Sequence, residues 1–227
     1  MGKKGKLFQW KLIPYDLSHF VGSLTAIAFR MKRLHVSGER YRGRIRGGAI
    51  FAMNHVGFSD PFVVSVCFWY RRVFYLAAEA VMQGKLRSLL LRGTGCIKID
   101  RNISDLEAVK KCIGILKEGR TLAVFPQGGL TVEGETVQIK SGAILMALQA
   151  GVPIIPMYSP RREHWYQRKV VVIGDAIDCG EFVTKKIPSM KNIEAASQAL
   201  QQAMQRCREV CERRKKHDDT TAAAPGL

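Results

Sequence analysis

The sequence predicts a single α/β domain whose mixed, largely parallel sheet is flanked by helices. Short apolar runs of four to six residues alternate with helix-like segments after residue 46, which is typical of strands separated by crossover helices. The chain has 227 residues, of which 47% are apolar, so one domain with a sizeable core is expected. The chain contains neither an internal repeat nor a linker long enough to join a second domain.

Residues 1–46 are predicted to form a basic, membrane-associating segment. They hold eleven Lys and Arg residues against Asp16 and Glu39, which gives +9 of the chain's net charge of +17. Apolar residues recur at helical spacing from Leu17 to Leu34, and this pattern predicts an amphipathic helix lying in a membrane interface. Interrupting polar residues disfavour a spanning helix. The alternative is a helix packed on its own domain with a solvated basic face.

A folded domain is predicted over residues 47–214, and its strands can be located from the sequence. Six short strands are predicted from apolar, β-branched or aromatic runs. They span residues 49–53, 72–77, 96–99, 122–125, 154–158 and 170–173.

Helices are predicted between these strands from their capping and stop signals. One begins at Asp60 with Pro61 in its first turn. A capping box at residues 104–107 opens a helix over 105–118, and helix 141–150 ends at a glycine. The apolar face of helix 105–118 is predicted to comprise Leu106, Val109, Ile113 and Leu116. A polar helix over 192–214 leads into a tail, residues 215–227, that is predicted to be disordered.

The segment NHVGFSD at residues 54–60 is the first candidate for chemistry. It places the imidazole of His55 and the carboxylate of Asp60 five residues apart, between a predicted strand and a predicted helix start. There His55 can accept a proton from a hydroxyl group while Asp60 holds its tautomer and stabilises the imidazolium. The alternative is that Asp60 only caps the helix and that His55 is an ordinary loop residue.

Three further blocks follow in order: GTGCIKIDR at 93–101, FPQG at 125–128 and VPIIP at 152–156. Together with the first block they resemble the motifs of the glycerolipid acyltransferase family, from about residue 35 to about residue 175. The resemblance implies transfer of an acyl group from acyl-CoA or acyl carrier protein to the hydroxyl of a lysophospholipid. The implied acceptor is 1-acylglycerol-3-phosphate, which would give phosphatidic acid, and the implied place is the cytoplasmic face of a membrane. Neither a cofactor nor a metal is expected.

Candidate substrate-binding residues lie in the second and third blocks. The resemblance implies that the basic residues of the second block, Lys98 and Arg101, bind the phosphate of the acceptor, and a guanidinium group suits that task. An alternative is that Arg101 pairs with a neighbouring aspartate. The backbone N–H groups of Gly128 and Gly129 are candidates for binding the oxyanion, although a glycine pair also forms ordinary turns.

The third block departs from the family's FPEGTRS pattern. Gln127 replaces the glutamate and keeps hydrogen-bonding capacity without the charge, while Leu130 stands where the pattern has arginine. Lys140, or Arg161 with Arg162, would have to supply the missing cation. Otherwise the acceptor is a different lyso-lipid.

Two functions from other classes compete with acyl transfer. A catalytically silent lipid-binding module would explain the altered third block but not the intact pair of His55 and Asp60. The charge of +17 fits an anionic partner, yet no nucleic-acid-binding module or aromatic stacking motif accompanies it, so an anionic membrane surface is expected and nucleic acid is not. Six scattered cysteines without metal-type pairing indicate a reducing, cytosol-facing compartment.

Overall fold

The structure is a computed structural model. It describes residues 31–57, 59–78, 84–85, 88–89, 91, 95–99, 105–127, 139–162, 167–183 and 188–223, with the side chains of the last helix described up to residue 215.

The described strands form one seven-stranded sheet in the order β1-β7-β6-β2-β5-β3-β4. Their bounds are β1 Lys32–His35, β2 Ala49–Met53, β3 Val73–Ala78, β4 Cys96–Ile99, β5 Thr121–Val124, β6 Ile154–Tyr158 and β7 Val170–Ile173. Every neighbouring pair is parallel except β6 and β7, which are antiparallel. The predicted fold class, a mixed and largely parallel sheet flanked by helices, is therefore confirmed.

Helices cover both faces of this sheet. Their bounds are α1 Asp60–Cys67, α2 Leu106–Lys117, α3 Gly142–Ala150, a 3₁₀ helix Cys179–Phe182, and α4 Met190–Ala223. One apolar cluster joins α1 to β2, β3, β6 and β7, and a second joins α2, α3 and the first half of α4 to the opposite face. Because both faces are covered, the central strand β2 is apolar throughout and all five of its residues are fully buried.

Close packing fixes the position of β2. On the α1 face, the ring of Phe51 stacks on the ring of Phe68, with centroids 4.1 Å apart. Just before β2, a Cβ atom on Gly48 would lie 2.3 Å from the carbonyl oxygen of Leu116, so only glycine lets the chain pass the end of α2. The strand is thereby held in a position that fixes where the loop after Met53 emerges.

Strands β3 and β5 each lie one residue away from their predicted bounds, and four larger details also differ from the sequence predictions. Leu34, predicted in the amphipathic helix, lies instead in β1, where it pairs with Val172 and is 2% exposed. The pairing of β1 with β7 decides the conformation here, because so short a segment is compatible with either a helix or a strand. Residues 1–30, the rest of that helix and most of the membrane-associating segment, lie outside the described residues.

The cap of α2 is Asp105, whose side chain accepts a hydrogen bond from the backbone N–H of Ala108, rather than the predicted capping box that starts one residue earlier. Leu106, predicted on the buried face, is 65% exposed because it occupies the first turn, ahead of the buried stripe. Helix α4 extends to Ala223, past residue 214, where the sequence predicted its end. No glycine or proline interrupts the helix before Pro225.

No helix among the described residues is both long enough and apolar enough to cross a bilayer. The six cysteines all lie within the described residues and form no disulfide.

Candidate active site

The candidate site lies at the carboxyl end of β2, in the middle of the sheet. Because β2 and its neighbours β5 and β6 run parallel, their carboxyl ends meet at one edge, the edge where open α/β sheets place their ligands. The chain leaves β2 at Met53 and turns back into α1 at Asp60. This turn brings the imidazole of His55 to the carboxylate of Asp60, with 2.9 Å between Nδ1 and Oδ2.

Asp60 is fully buried, and its Oδ2 atom accepts further hydrogen bonds from two backbone N–H groups. The donors are Val56, at 2.7 Å, and Gly57, at 2.8 Å. A carboxylate oxygen can only accept hydrogen bonds, so Nδ1 of His55 is the third donor to Oδ2. The other ring nitrogen, Nε2, therefore carries the free lone pair. The residue at the N-cap of α1 is Ser59, without a side-chain cap bond. Asp60 therefore orients both the loop and the imidazole, which is more than a helix cap does.

One face of the His55 imidazole is covered by another ring, while part of the side chain stays accessible to solvent. The ring of Phe125 stacks on it, with centroids 4.3 Å apart and an angle of 21° between the planes. The side chain of His55 keeps 20% of its surface exposed. Stacking and the Asp60 bond together fix the ring, so a substrate hydroxyl can approach Nε2 from a defined direction.

Asn54 ties the start of this loop to the neighbouring strand. Its side chain donates to the carbonyl oxygen of Ser159 and accepts from the N–H of the same residue, both at 2.8 Å. The two residues are 3% and 0% exposed. The residue directly before His55 is thus bound twice to the end of β6.

Lys169 contributes a buried cation beside the carboxylate. It directly precedes β7 and is 3% exposed, with Nζ 3.8 Å from Oδ1 of Asp60 and 3.0 Å from the carbonyl oxygen of Pro160, to which it donates. Burial lowers the pKa of the Lys169 ammonium, and the carboxylate of Asp60 opposes that effect. Oδ1 of Asp60 is buried without a hydrogen-bond partner among the described residues.

The predicted substrate-binding residues divide into those near the pair and those away from it. Gln127 lies beside it, since its Oε1 accepts a 3.4 Å hydrogen bond from the N–H of His55. Lys140 lies beside the third block, where its backbone N–H donates to the carbonyl oxygen of Pro126, and its side chain is exposed. Lys98 is exposed on the edge strand β4, at the same edge of the sheet but three strands from β2, about 14 Å at ordinary strand spacing. Arg101, Gly128 and Gly129 lie outside the described residues.

Sequence reasoning missed four contributors: Asn54, Phe125, Ser159 and Lys169. Asn54 and Phe125 belong to the recognised sequence blocks, and this position indicated that they lie near the site. Their contacts could not be predicted from the sequence. Lys169 precedes the apolar run of β7 as an ordinary flanking charge would. No pattern in the sequence indicates that its side chain turns inward toward Asp60.

Burial makes four of the six cysteine thiols poor nucleophiles. Burial raises the pKa of Cys67, the cysteine of α1, to about 12. Burial likewise raises the pKa of Cys112 and Cys207 to about 12 and that of Cys179 to about 11. Thiols in such surroundings stay protonated and unreactive at neutral pH. The arrangement fits base-assisted attack by a substrate hydroxyl better than a covalent enzyme intermediate.

A basic groove of about 770 Å³ runs along the outer edge of β1. Its cationic side chains come from β1, from the turn after it, from the residue before Lys169 and from α4; they are Lys32, Arg33, Arg40, Arg168 and Arg214. Glu39 is the one acidic residue among those that line it. Because β1 starts at the end of the sheet where β6 finishes, its first residue, Lys32, lies toward the same edge of the sheet as His55. Such a groove attracts phosphate-bearing ligands.

The chain matches a family model and several known proteins in sequence. A family model described as Acyltransferase matches residues 33–159. The 1-acyl-sn-glycerol-3-phosphate acyltransferase of Bacillus subtilis is 27% identical over 160 residues, which is 68% of this chain and 78% of that protein. The enzyme of the same name from Borreliella burgdorferi is 27% identical over 128 residues, 56% of this chain and 51% of that protein.

A solved structure shares the fold. The crystal structure of the 1-acyl-sn-glycerophosphate acyltransferase PlsC from Thermotoga maritima superposes with a TM-score of 0.56, covering 92% of this chain and 80% of that one. The two sequences are 15% identical, so this likeness concerns the fold alone.

Proposed function

The chain belongs to the acyltransferase family, whose model matches more than half of its length, and from this premise we propose that it acylates a lysophospholipid. The acceptor is 1-acylglycerol-3-phosphate and the product is phosphatidic acid, as in phospholipid biosynthesis. The observation that carries the proposal is the 2.9 Å contact between Nδ1 of His55 and Oδ2 of Asp60 at the open end of β2. The names of the relatives from two bacteria support the choice of acceptor.

The proton is transferred between the substrates by way of His55. Nε2 takes the proton of the acceptor hydroxyl as its oxygen attacks the thioester carbonyl carbon, and Asp60 stabilises the imidazolium that forms. A tetrahedral intermediate results, with its negative charge on the former carbonyl oxygen. When it collapses, the carbon–sulfur bond breaks and the imidazolium returns its proton to the departing thiolate. The ester forms without a covalent bond to the protein.

Other residues have the tasks of binding the two substrates. The backbone N–H groups of Gly128 and Gly129 are proposed to bind the developing oxyanion. Arg101, with Lys98, is proposed to bind the phosphate of the acceptor, and Lys140 is proposed to replace the cation that Leu130 removes from the third block. Gln127 supports the loop by its hydrogen bond to the N–H of His55.

The protein is proposed to act at the surface of an anionic membrane, on its cytoplasmic face, with acyl-CoA or acyl carrier protein as the donor. The net charge of +17, over half of it in residues 1–46, supports this location. The basic groove beside β1 supports it further. Both donors present the same thioester, so His55 would serve either of them.

The direct test is an acyl-transfer assay on the purified full chain with labelled acyl-CoA or labelled acyl carrier protein. Lysophosphatidate and a panel of other lyso-lipids serve as acceptors, and the His55→Ala variant is the matched blank. We expect labelled phosphatidate from the parent protein and a rate near background from the variant. Preference for another lyso-lipid would correct the acceptor. Binding of lyso-lipids without transfer to any of them would identify a silent lipid-binding module instead.

A further inference from the structure

Lys169 is a buried charged residue that the proton-transfer steps do not use. Its side chain is 4% exposed and the side chain of Asp60 is 1% exposed, with 3.8 Å between Nζ and Oδ1. Lysine side chains are rarely buried to this degree, since removing an ammonium from water is costly unless a partner compensates. The location of this cation beside the proposed catalytic pair therefore calls for a functional explanation.

The two oxygens of Asp60 have different surroundings. Oδ2 accepts from His55, Val56 and Gly57. Oδ1 has no hydrogen-bond partner within the described ranges and lies 3.8 Å from Nζ of Lys169. A carboxylate buried in this way is disfavoured in its charged form unless an opposite charge lies nearby. Among the lysine and arginine residues of the described ranges, Lys169 is the one that forms an ion pair with Asp60.

Lys169 is itself held in place. It donates a 3.0 Å hydrogen bond to the carbonyl oxygen of Pro160, and its own carbonyl oxygen accepts from the N–H of Lys32 in β1. The other charged or titratable groups that influence it are Arg162, Cys67 and Cys211. Two attachments to the backbone leave the ammonium little freedom to move away from Asp60.

We propose that Lys169 is a positioning residue for the reaction, and this inference rests on the proposed function. Its ammonium places a positive charge beside the buried carboxylate of Asp60, so that Oδ2 can accept the hydrogen bond from Nδ1–H of His55 and stabilise the imidazolium. Lys169 does not touch the substrate. It acts on catalysis only through Asp60.

The first test compares Lys169→Met with Lys169→Arg in the full chain. Lys169→Met should lower kcat on the order of tenfold to a hundredfold, as loss of an outer partner of a catalytic group does, with little change in the KM of the acceptor. Lys169→Arg should recover most of the rate because it restores the charge. A rate for Lys169→Met equal to the parent rate, or an arginine variant as slow as the methionine variant, would overturn the proposal.

The pH profile gives a readout that a merely structural role would not move. Burial lowers the pKa of the Lys169 ammonium, so its charge is lost as the pH rises through that lowered pKa, and the rate of the parent protein should fall there. A guanidinium group keeps its charge to higher pH, so the alkaline limb of kcat should move to higher pH in Lys169→Arg. An unmoved limb contradicts the inference.

A double variant separates the proposed route from a general loss of stability. Asp60→Asn combined with Lys169→Met removes both buried charges, so it should fold at least as well as either single variant. Its rate should match that of Asp60→Asn alone, because Lys169 acts through Asp60. Losses that multiply would assign Lys169 a separate role.

Failure of the proposed function itself can be recognised separately. If the parent protein acylates no acceptor, the Nδ1–H proton of His55 in an NMR spectrum still reports its hydrogen bond to Oδ2 of Asp60. Lys169→Met should shift that proton signal and Lys169→Arg should largely restore it, and an unshifted signal in Lys169→Met would overturn the positioning role whatever the reaction.

Discussion

Asn54 and Ser159 exchange two hydrogen bonds of 2.8 Å across the ends of β2 and β6. The amide of Asn54 satisfies both the N–H and the carbonyl oxygen of a buried backbone unit that lies beyond the last β6 residue. Neighbouring parallel strands usually diverge where their ladder ends. Here the pairing continues through a side chain, and the residue so fixed directly precedes His55.

Asn54→Ala should therefore affect both stability and rate. It leaves a buried N–H and a buried carbonyl of Ser159 without partners, which should lower the free energy of unfolding by about 1–3 kcal/mol. It should also lower kcat, since the residue directly before His55 is no longer bound to the end of β6. Urea unfolding and initial rates measure the two effects. Ser159→Ala is the control: it loses the hydrogen bond from Oγ to the carbonyl oxygen of Val170 but keeps the backbone groups that Asn54 binds, so it should lower kcat less than Asn54→Ala does.

His55 and Asp60 should behave as one unit in kinetics. His55→Ala should lower kcat by roughly 10²–10⁴ without loss of folding, the usual size of a general-base contribution. Asp60→Asn should cost nearly as much, and the double variant should be little slower than either single one. Steady-state rates at saturating substrates test this. A near-normal rate for His55→Ala would remove the base from the mechanism.

The fold was predictable because its strongest signals are local. Strands β2, β4, β6 and β7 have the predicted bounds, since each is a short apolar run between turn residues, and Gly151 ends α3 with the positive φ of 63° that the sequence pattern implied. Strand β1 was not predictable in this way. Its Leu34 is buried through pairing with β7 and packing against α4, contacts that depend on residues more than 130 positions away in the chain.

The proposed binding of the acceptor phosphate by Arg101 can be tested, although Arg101 and Leu130 lie outside the described residues. Arg101→Ala should weaken use of the acceptor far more than use of the donor, because a guanidinium group can donate two parallel hydrogen bonds to a phosphate. Leu130→Arg should improve lysophosphatidate as an acceptor by restoring the cation of the family pattern. Measurements of KM and kcat for the donor and for the acceptor test both expectations. Equal losses toward donor and acceptor would assign Arg101 to the fold or to the donor.

A pair of glycine substitutions tests the packing beside β2. Gly48→Ala would place Cβ 2.3 Å from the carbonyl oxygen of Leu116, and the required backbone shift should cost about 1–3 kcal/mol of the free energy of unfolding. Gly114→Ala is the matched control, since nothing lies within 4 Å of the added Cβ on an exposed face of α2. It should stabilise the protein by about 0.5–1 kcal/mol. Chemical denaturation of both variants compares them, and a Gly48→Ala protein as stable as the parent would contradict the packing argument.

The site was only partly predictable for a physical reason. A motif places His55 and Asp60 near each other in the chain, so their meeting follows from a short loop. Lys169 reaches the same carboxylate from a segment 109 positions later in the sequence, and a lysine before a strand ordinarily faces solvent. Its inward direction follows from the pairing of β7 with β1 and β6, which single-sequence patterns do not specify.

The last prediction concerns attachment to membranes through residues 1–30. These residues carry five Lys and Arg residues against Asp16, with apolar residues at helical spacing between the charges. Each basic residue near an anionic surface contributes about 1 kcal/mol at modest salt. The apolar stripe adds a contribution that salt does not screen. The deletion should stop before Met31, since Lys32–His35 form β1 and a longer truncation would damage the sheet.

The measurement is co-sedimentation with anionic vesicles across a salt series, for the full chain and for the protein without residues 1–30. The full chain should sediment with a salt-sensitive and a salt-resistant part, and the truncated protein should lose the salt-resistant part. Activity on membrane-borne acceptor should fall, while activity on a dispersed, short-chain acceptor should be largely kept. A second variant, Arg40→Ala with Arg168→Ala, removes two cations of the basic groove and should weaken only the salt-sensitive binding. If the truncated protein sediments as well as the full chain at every salt concentration, residues 1–30 are not the anchor.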